Sequence, residues 1–380
     1  MPSSNAVTSE NLQKVLVYLF GSLGDSIVAI PALRAVRRNF PDAEIVLLQN
    51  FASGNIVLAS QVIPPDLVGR YLSYNSTAGR IKKAGGFYRL WNELRREHFD
   101  AAVYLVISER PAKAVARDRM FFRSAGIKSL YGFHPVPTNE LYPFDSEGRP
   151  LRSVHEAEFK LKRLERDGIM TLPEFDLRTP LFDLTVEELE KTDQRLAQQR
   201  LRRSAPLVSI APGCKTAANT WPAEHFIELG RRLIAETGCE IIVTGGKPDV
   251  GLGEKLTSAW GEGINTAGEL TVRQSAALLA RCSFHIGLDT GTTHLAAAVG
   301  TRCFAIYGER NNPGLWYPLG SGHTILYHPV ACAACRLPAC PVPGHPCMNG
   351  VSVDTAWKHL QEFLNCEPGV HSAGVRVIAV

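Results

Sequence analysis

Five times along this chain a short, almost unbroken run of β-forming apolar residues stops at a turn that carries glycine. The runs are VLVYLF at 15–20 before GSLGD, LVSIAP at 207–212 before Gly213, EIIVTGG at 240–246, FHIGLDTG at 284–291 and RCFAIYG at 302–308. A strand without polar alternation is buried on both faces, and that condition is met in a parallel sheet covered by helices on each side. Helical patterns occupy the gaps, among them PAEHFIELGRRLIAETG, ended by Gly238, and THLAAAVG, ended by Gly300. EIVLLQ at 44–49 and AAVYLVI at 101–107 add further strands, the second after a polar helix around 87–98. Ile27, Ile30, Leu33 and Val36 recur at helical spacing and predict one helix through SIVAIPALRAVRRNF. The fold class is α/β, with doubly wound parallel sheets.

A length of 380 residues favours two domains. Between 131 and 183 the pattern loosens and prolines gather, and a charged helix, TVEELEKTDQRLAQQRLR, follows at 185–202. The junction is placed near that helix, which gives an N-terminal Rossmann-like domain over 1–190 and a C-terminal one over 191–354. Residues 355–380 form a last helix, TAWKHLQEFLNC, and a tail that could pack back on the N-domain. A net charge of +4 is too small to argue for nucleic acid. No basic-then-apolar leader is visible, and no apolar run approaches the roughly 18 residues of a membrane span. The expectation is a cytoplasmic protein, with peripheral contact at the inner membrane left open. Arg34, Arg37, Arg38, Arg95 and Arg96 could meet phosphorylated ligands or a membrane face, or serve as solvated helix faces.

Four post-strand turns carry the candidate chemistry. In Gly21-Ser22-Leu23-Gly24-Asp25 the glycines allow close backbone approach to a ligand, with Ser22 and Gly24 as loop residues beside it. Asp25 either caps the following helix or acts as a general base. In Asp289-Thr290-Gly291-Thr292-Thr293-His294 five polar groups crowd one helix start, more than capping needs. Free N–H groups and hydroxyls there would cradle a diphosphate, with His294 donating to a phosphate oxygen. Lys215, in the loop after LVSIAP, offers a mobile positive charge, and Gly245 marks a backbone turn near the ligand. Among nine cysteines, Cys332, Cys335, Cys340 and Cys347 lie within sixteen residues. Four thiolates could close a structural zinc site or hold an iron–sulfur cluster, or stay as thiols or disulfides.

Together, GSLGDSIVAIPALRAVRRNFPDAEI, APGCKTAANTWPAEHFIELGRRL and DTGTTHLAAAVGTRCFAIYG resemble glycosyltransferase family 9, the lipopolysaccharide heptosyltransferases and their relatives. The resemblance implies a GT-B architecture, with two Rossmann-like domains facing a central cleft, the N-domain binding acceptor and the C-domain donor. It implies inverting transfer of a sugar, a heptose from ADP-heptose, to a lipopolysaccharide-core or related glycan acceptor. No cofactor or metal is required for catalysis on that reading. Asp25 would be the base; Asp289, Thr290, Gly291 and His294 would contact the donor nucleotide. Asn219 stands where relatives often carry a lysine two residues before Trp-Pro, and Lys215 could take over that contact. Thr292-Thr293 replaces a more usual proline-containing pair. Two other readings compete. A nicotinamide-dependent oxidoreductase needs a third glycine that GSLGDS lacks, although Glu44 sits near the distance expected of its acidic partner. An inactive sugar-nucleotide binder sits poorly with the presence of both Asp25 and the Asp289 motif.

Overall fold

The computed structural model describes residues 12–51, 57–75, 80–199, 205–366 and 374–380. The chain divides into two compact units, Met1–Leu141 with Val154–Arg178, and Tyr142–Ser153 with Thr179–Val380.

The first unit is built on five parallel strands: β1 (Lys14–Leu19), β2 (Glu44–Phe51), β3 (Arg70–Asn75), β4 (Ala101–Tyr104) and β5 (Ser129–Tyr131). Their order is β3-β2-β1-β4-β5, so the first strand is central. Val15, Leu16 and Val17 are fully buried, which is what the unbroken apolar run requires. Leu16, Leu48, Leu94, Tyr104 and Phe122 belong to one core cluster. The expected single helix after β1 is broken in two, Leu23–Ile27 and Ile30–Asn39. Pro31 lies in the first turn of the second piece, and a proline there cannot give the N–H that would continue the first helix.

Three of the candidate basic-patch residues have internal duties. Arg34 donates to the carbonyls of Asp176 and Arg178 at 3.0 and 2.7 Å, and Arg37 to those of Pro41 and Ala43 at 3.2 and 2.9 Å. Arg38 forms a two-pronged bond with the Asp176 carboxylate at 2.8 and 2.9 Å. These guanidiniums tie the helix Ile30–Asn39 to its own unit, and the expected ligand or membrane role is set aside for them. Arg95 stacks on Trp91, 4.7 Å from the ring centre.

The second unit holds seven parallel strands: β6 (Leu207–Ile210), β7 (Glu240–Val243), β8 (Ile264–Asn265), β9 (Phe284–Leu288), β10 (Cys303–Ile306), β11 (His323–Tyr327) and β12 (Val375–Ala379). Their order is β12-β11-β10-β9-β6-β7-β8. The division falls after Arg178, short of the expected residue 190. The helix Val186–Gln198 packs on the helix Val272–Ala280, and Arg273–Glu188 and Arg281–Asp193 ion pairs bind it to the second unit. The chain end likewise belongs to this unit. Phe363, on the helix Val353–Asn365, meets Phe284 and Phe304 edge-on at 5.6 and 5.8 Å, and β12 pairs with β11. Among the described residues no helix is long and apolar enough to cross a membrane.

Candidate functional site

In an open parallel sheet the strands' carboxyl ends offer loops and helix starts to a ligand. In the first unit that position after β1 is the Asp25 turn. Asp25 is the third residue of the helix Leu23–Ile27, with Ser22 as its cap. Its Oδ2 accepts from the Ser22 N–H at 2.7 Å and the Ser22 hydroxyl at 3.2 Å. Both bonds go to one oxygen, so Oδ1 is left without a hydrogen-bond partner among the described residues. Gly21 has φ +141°, and a Cβ there would fall 2.3 Å from Asp25 Cγ. The glycine is therefore what lets the carboxyl fold back over the turn. Gly24 is buried, and Gly21 N–H donates to Asn50 Oδ1 at 3.0 Å.

The electrostatics around Asp25 are divided. Burial pushes its carboxyl above the ordinary range, while the Ser22 N–H and the Lys160 ammonium pull it back. Lys160 is fully buried and ion-paired with Glu156, itself fully buried and accepting from the Ser108 N–H at 3.0 Å. A carboxylate with one oxygen held, one open and an elevated pKa has the character of a general base. The dinucleotide requirement is not met by this turn. Glu44 opens β2 rather than ending it, and it is ion-paired with Lys14 and Arg70.

In the second unit the helix Gly291–Ala298 starts directly after β9. Asp289 Oδ2 accepts from Asn219 Nδ2 at 3.1 Å and from Asn311 Nδ2 at 3.3 Å. Asn219 is 4% exposed, so the residue in the lysine position is spent on holding Asp289. Thr290 is the cap residue, yet its hydroxyl bonds no backbone N–H of the helix. That Oγ1 is buried and unpartnered among the described residues. Buried hydroxyls are almost always bonded, and an orphan at a helix start calls for an acceptor from outside. Gly291 and Thr292 open the helix with partial exposure. Thr293 differs from its sequence expectation as a ligand donor: its hydroxyl points into the sheet and donates to the Leu288 carbonyl at 2.7 Å. His294 is buried in the first turn, its ring edge-on to Trp316 at 6.2 Å.

The neighbouring loops add residues that no sequence motif marks. The Asp249 carboxylate lies against both Gly213 and Gly245, where Cβ atoms would stand 1.9 and 2.6 Å from its oxygens. It also accepts from Gly246 N–H at 2.7 Å. Gly245 thus has a packing reason to be glycine, independent of any ligand. Lys215 is exposed in the loop after β6. Cys214 beside it is no nucleophile, because burial pushes its thiol up to about 11. Glu309, almost buried at 9% exposure near Asp289, is pushed up to about 7 by burial. No spacing motif marks Asp249, Glu309 or Asn311.

Cys332 and Cys335 are exposed, Cys340 half-buried and Cys347 buried, all as free thiols. Burial raises the Cys347 thiol, and the other three act on it electrostatically in the same direction. The four sulfurs therefore lie in one neighbourhood. Among the described residues, though, no three His, Cys, Asp or Glu side chains are arranged to hold a metal ion.

Comparison with known proteins bears on both units. Lipopolysaccharide heptosyltransferase 2 of Escherichia coli K12 is 29% identical over 261 residues, covering 64% of this chain and 70% of that protein. A solved glycosyltransferase family 9 structure from Veillonella parvula superposes with a TM-score of 0.69 at 17% identity, over 93% of this chain and 97% of the other. The structure of the E. coli ADP-heptose lps heptosyltransferase II gives 0.64 at 20% identity, over 93% and 98%. The fold is that of the GT-B transferases. The model of glycosyltransferase family 9 (heptosyltransferase) matches residues 151–344, just over half of the 380. With the Asp289 motif inside that match and the Asp25 turn preceding it, this chain belongs to glycosyltransferase family 9.

Proposed function

We propose that the protein transfers a heptose, with inversion, from ADP-heptose to a lipopolysaccharide-core acceptor. The observation that carries this reading is the buried, unpartnered Thr290 hydroxyl at the head of the helix Gly291–Ala298. An oxygen of the donor diphosphate would accept from it and from the first free N–H groups of the helix, where the helix dipole favours negative charge. Asp289, held by two side-chain amides, would accept from donor hydroxyls. Lys215 supplies a mobile positive charge in place of the missing lysine.

In the transfer, Asp25 Oδ1 takes the proton of the acceptor hydroxyl as that oxygen bonds to the anomeric carbon. The bond from that carbon to the diphosphate oxygen breaks, and its electron pair leaves with ADP. Donors already aimed at the developing charge lower the barrier because they need no rearrangement. A glycolipid acceptor brings the reaction to a membrane face.

The test is to titrate the protein with ADP, UDP, GDP and NADH, and to follow ADP release from ADP-heptose with a core-truncated lipopolysaccharide. ADP should bind in preference to the others, and release should require the acceptor. Binding of NADH with no ADP binding would replace this reading with the oxidoreductase one.

A further inference from the structure

The first unit contains a cavity of about 490 Å³ that the Asp25 carboxyl does not line. It opens at the carboxyl ends of β1, β2 and β3, under the helices Arg80–Glu97 and Ala112–Ser124. Its volume lies within the span typical of small-molecule sites, about 300–1,000 Å³.

Half of its twelve lining residues are aromatic. Phe20, Tyr74, Phe87 and Phe121 line it, with Phe87 meeting Tyr74 and Phe121 at 6.1 Å between ring centres. The polar groups that could serve sugar hydroxyls are engaged with each other. The Tyr18 and Tyr74 hydroxyls bond at 2.7 Å, and the Tyr104 hydroxyl donates to Asp118 at 2.9 Å. Asn50 Oδ1 holds Gly21 N–H.

The charged side is unbalanced. Arg110 and Arg117 both pair with the single Asp118 carboxylate, each at 2.8 Å, so the lining carries one net positive charge. Arg110 stacks on Phe20 at 4.8 Å from the ring centre. Its Nε–H is buried and lacks a partner among the described residues. A buried donor on a cation is expensive to leave unmet, and an anionic acceptor is its strongest complement.

We propose that this cavity binds a monoanionic ligand with a flat apolar body. The anionic group would meet Arg110, and the body would lie among Phe20, Tyr74, Phe87 and Phe121. A polyphosphate would exceed the single net charge. This site does not rest on the proposed transfer, and its test uses neither donor nor acceptor.

The probe is 1-anilinonaphthalene-8-sulfonate, titrated into the full chain by fluorescence and calorimetry. N-phenyl-1-naphthylamine, the same ring system without the sulfonate, is its neutral twin. The expected result is one saturable site for the sulfonate. Arg110→Gln should weaken the sulfonate about tenfold and leave the neutral amine almost unchanged. Phe87→Ala, at a residue 40% exposed and so harmless to folding, should weaken both dyes. Melting curves report whether each variant is folded; if Arg110→Gln is not, the Phe87→Ala arm and the comparison of the two dyes on the native chain decide. Unsaturable binding at several sites would overturn the proposal. So would equal affinity for the charged and neutral dyes, or dye binding that Phe87→Ala leaves untouched.

Discussion

The turns after β1 and β9 are made of the same parts, a buried strand, a glycine, an aspartate and a helix start, yet they handle charge in opposite ways. After β1 the aspartate is inside the helix, and the turn's own Ser22 holds one of its oxygens. The helix is five residues long, so little dipole stands behind it, and burial makes the carboxyl more willing to take a proton. After β9 the aspartate precedes the helix and is held by amides from distant loops, Asn219 and Asn311. The helix start is left with an unmet hydroxyl and free N–H groups. On the proposed reading the first turn receives a proton and the second an anion. A strand–turn–helix unit therefore does not fix its chemistry; what decides it is which group in the turn is left unsatisfied.

That contrast can be broken experimentally. The largest effect is expected from Asp25→Asn. Turnover should fall about 10³-fold, the scale of losing a general base, while ADP affinity in calorimetry stays within about twofold. The pH profile gives the sign. The ionised carboxylate is the active form and its pKa is raised, so native turnover should decline as pH falls through that raised value, and the variant's residual rate should lose this limb. Transfer at an undiminished rate would remove Asp25 from the role.

Gly21→Ala should come next. A Cβ 2.3 Å from Asp25 Cγ must push that side chain aside, and a misplaced base of this kind costs about 10²-fold in kcat. Unchanged kcat would mean the carboxyl need not be folded over the turn.

Thr290→Ala should behave in the reverse sense. Donor or ADP affinity should drop about tenfold, the worth of one bond to a charged group. Thermal stability should hardly move, because the hydroxyl has no partner to lose. A large loss of stability with normal ADP affinity would contradict the anion-binding assignment. Asn311→Ala, which removes the longer of the two amide contacts to Asp289 at 3.3 Å, should weaken ADP only about two- to threefold.

Much of this architecture was legible beforehand because buried parallel strands announce themselves. β1, β4, β6, β7, β9 and β10 are the apolar runs. β3, β5, β8 and β12 carry no such signal, because edge strands have one neighbour and weaker apolar character, as RYLSYN at Arg70–Asn75 shows. β11 lies inside the sheet and was missed all the same, its HTILY run being short and polar at its start. The break at Val28–Ala29 was hidden because the 3.6-residue spacing of Ile27, Ile30 and Leu33 continues across it. The two aspartate turns stood out by composition. Their partners did not: Asn219 is 70 residues from Asp289 and Asn50 is 29 from Gly21, separations at which local pattern carries no signal.

Asp249 has a consequence for how this protein can be altered. Its carboxylate occupies the space two glycines leave open, so the loops after β6 and β7 interlock through a single linchpin. A chimaera that took one of these loops from a relative with a side chain at position 213 or 245 would meet that carboxylate head-on. The two loops are transplantable together with residue 249 and not singly, which makes them one cassette despite the helix and strand that separate them.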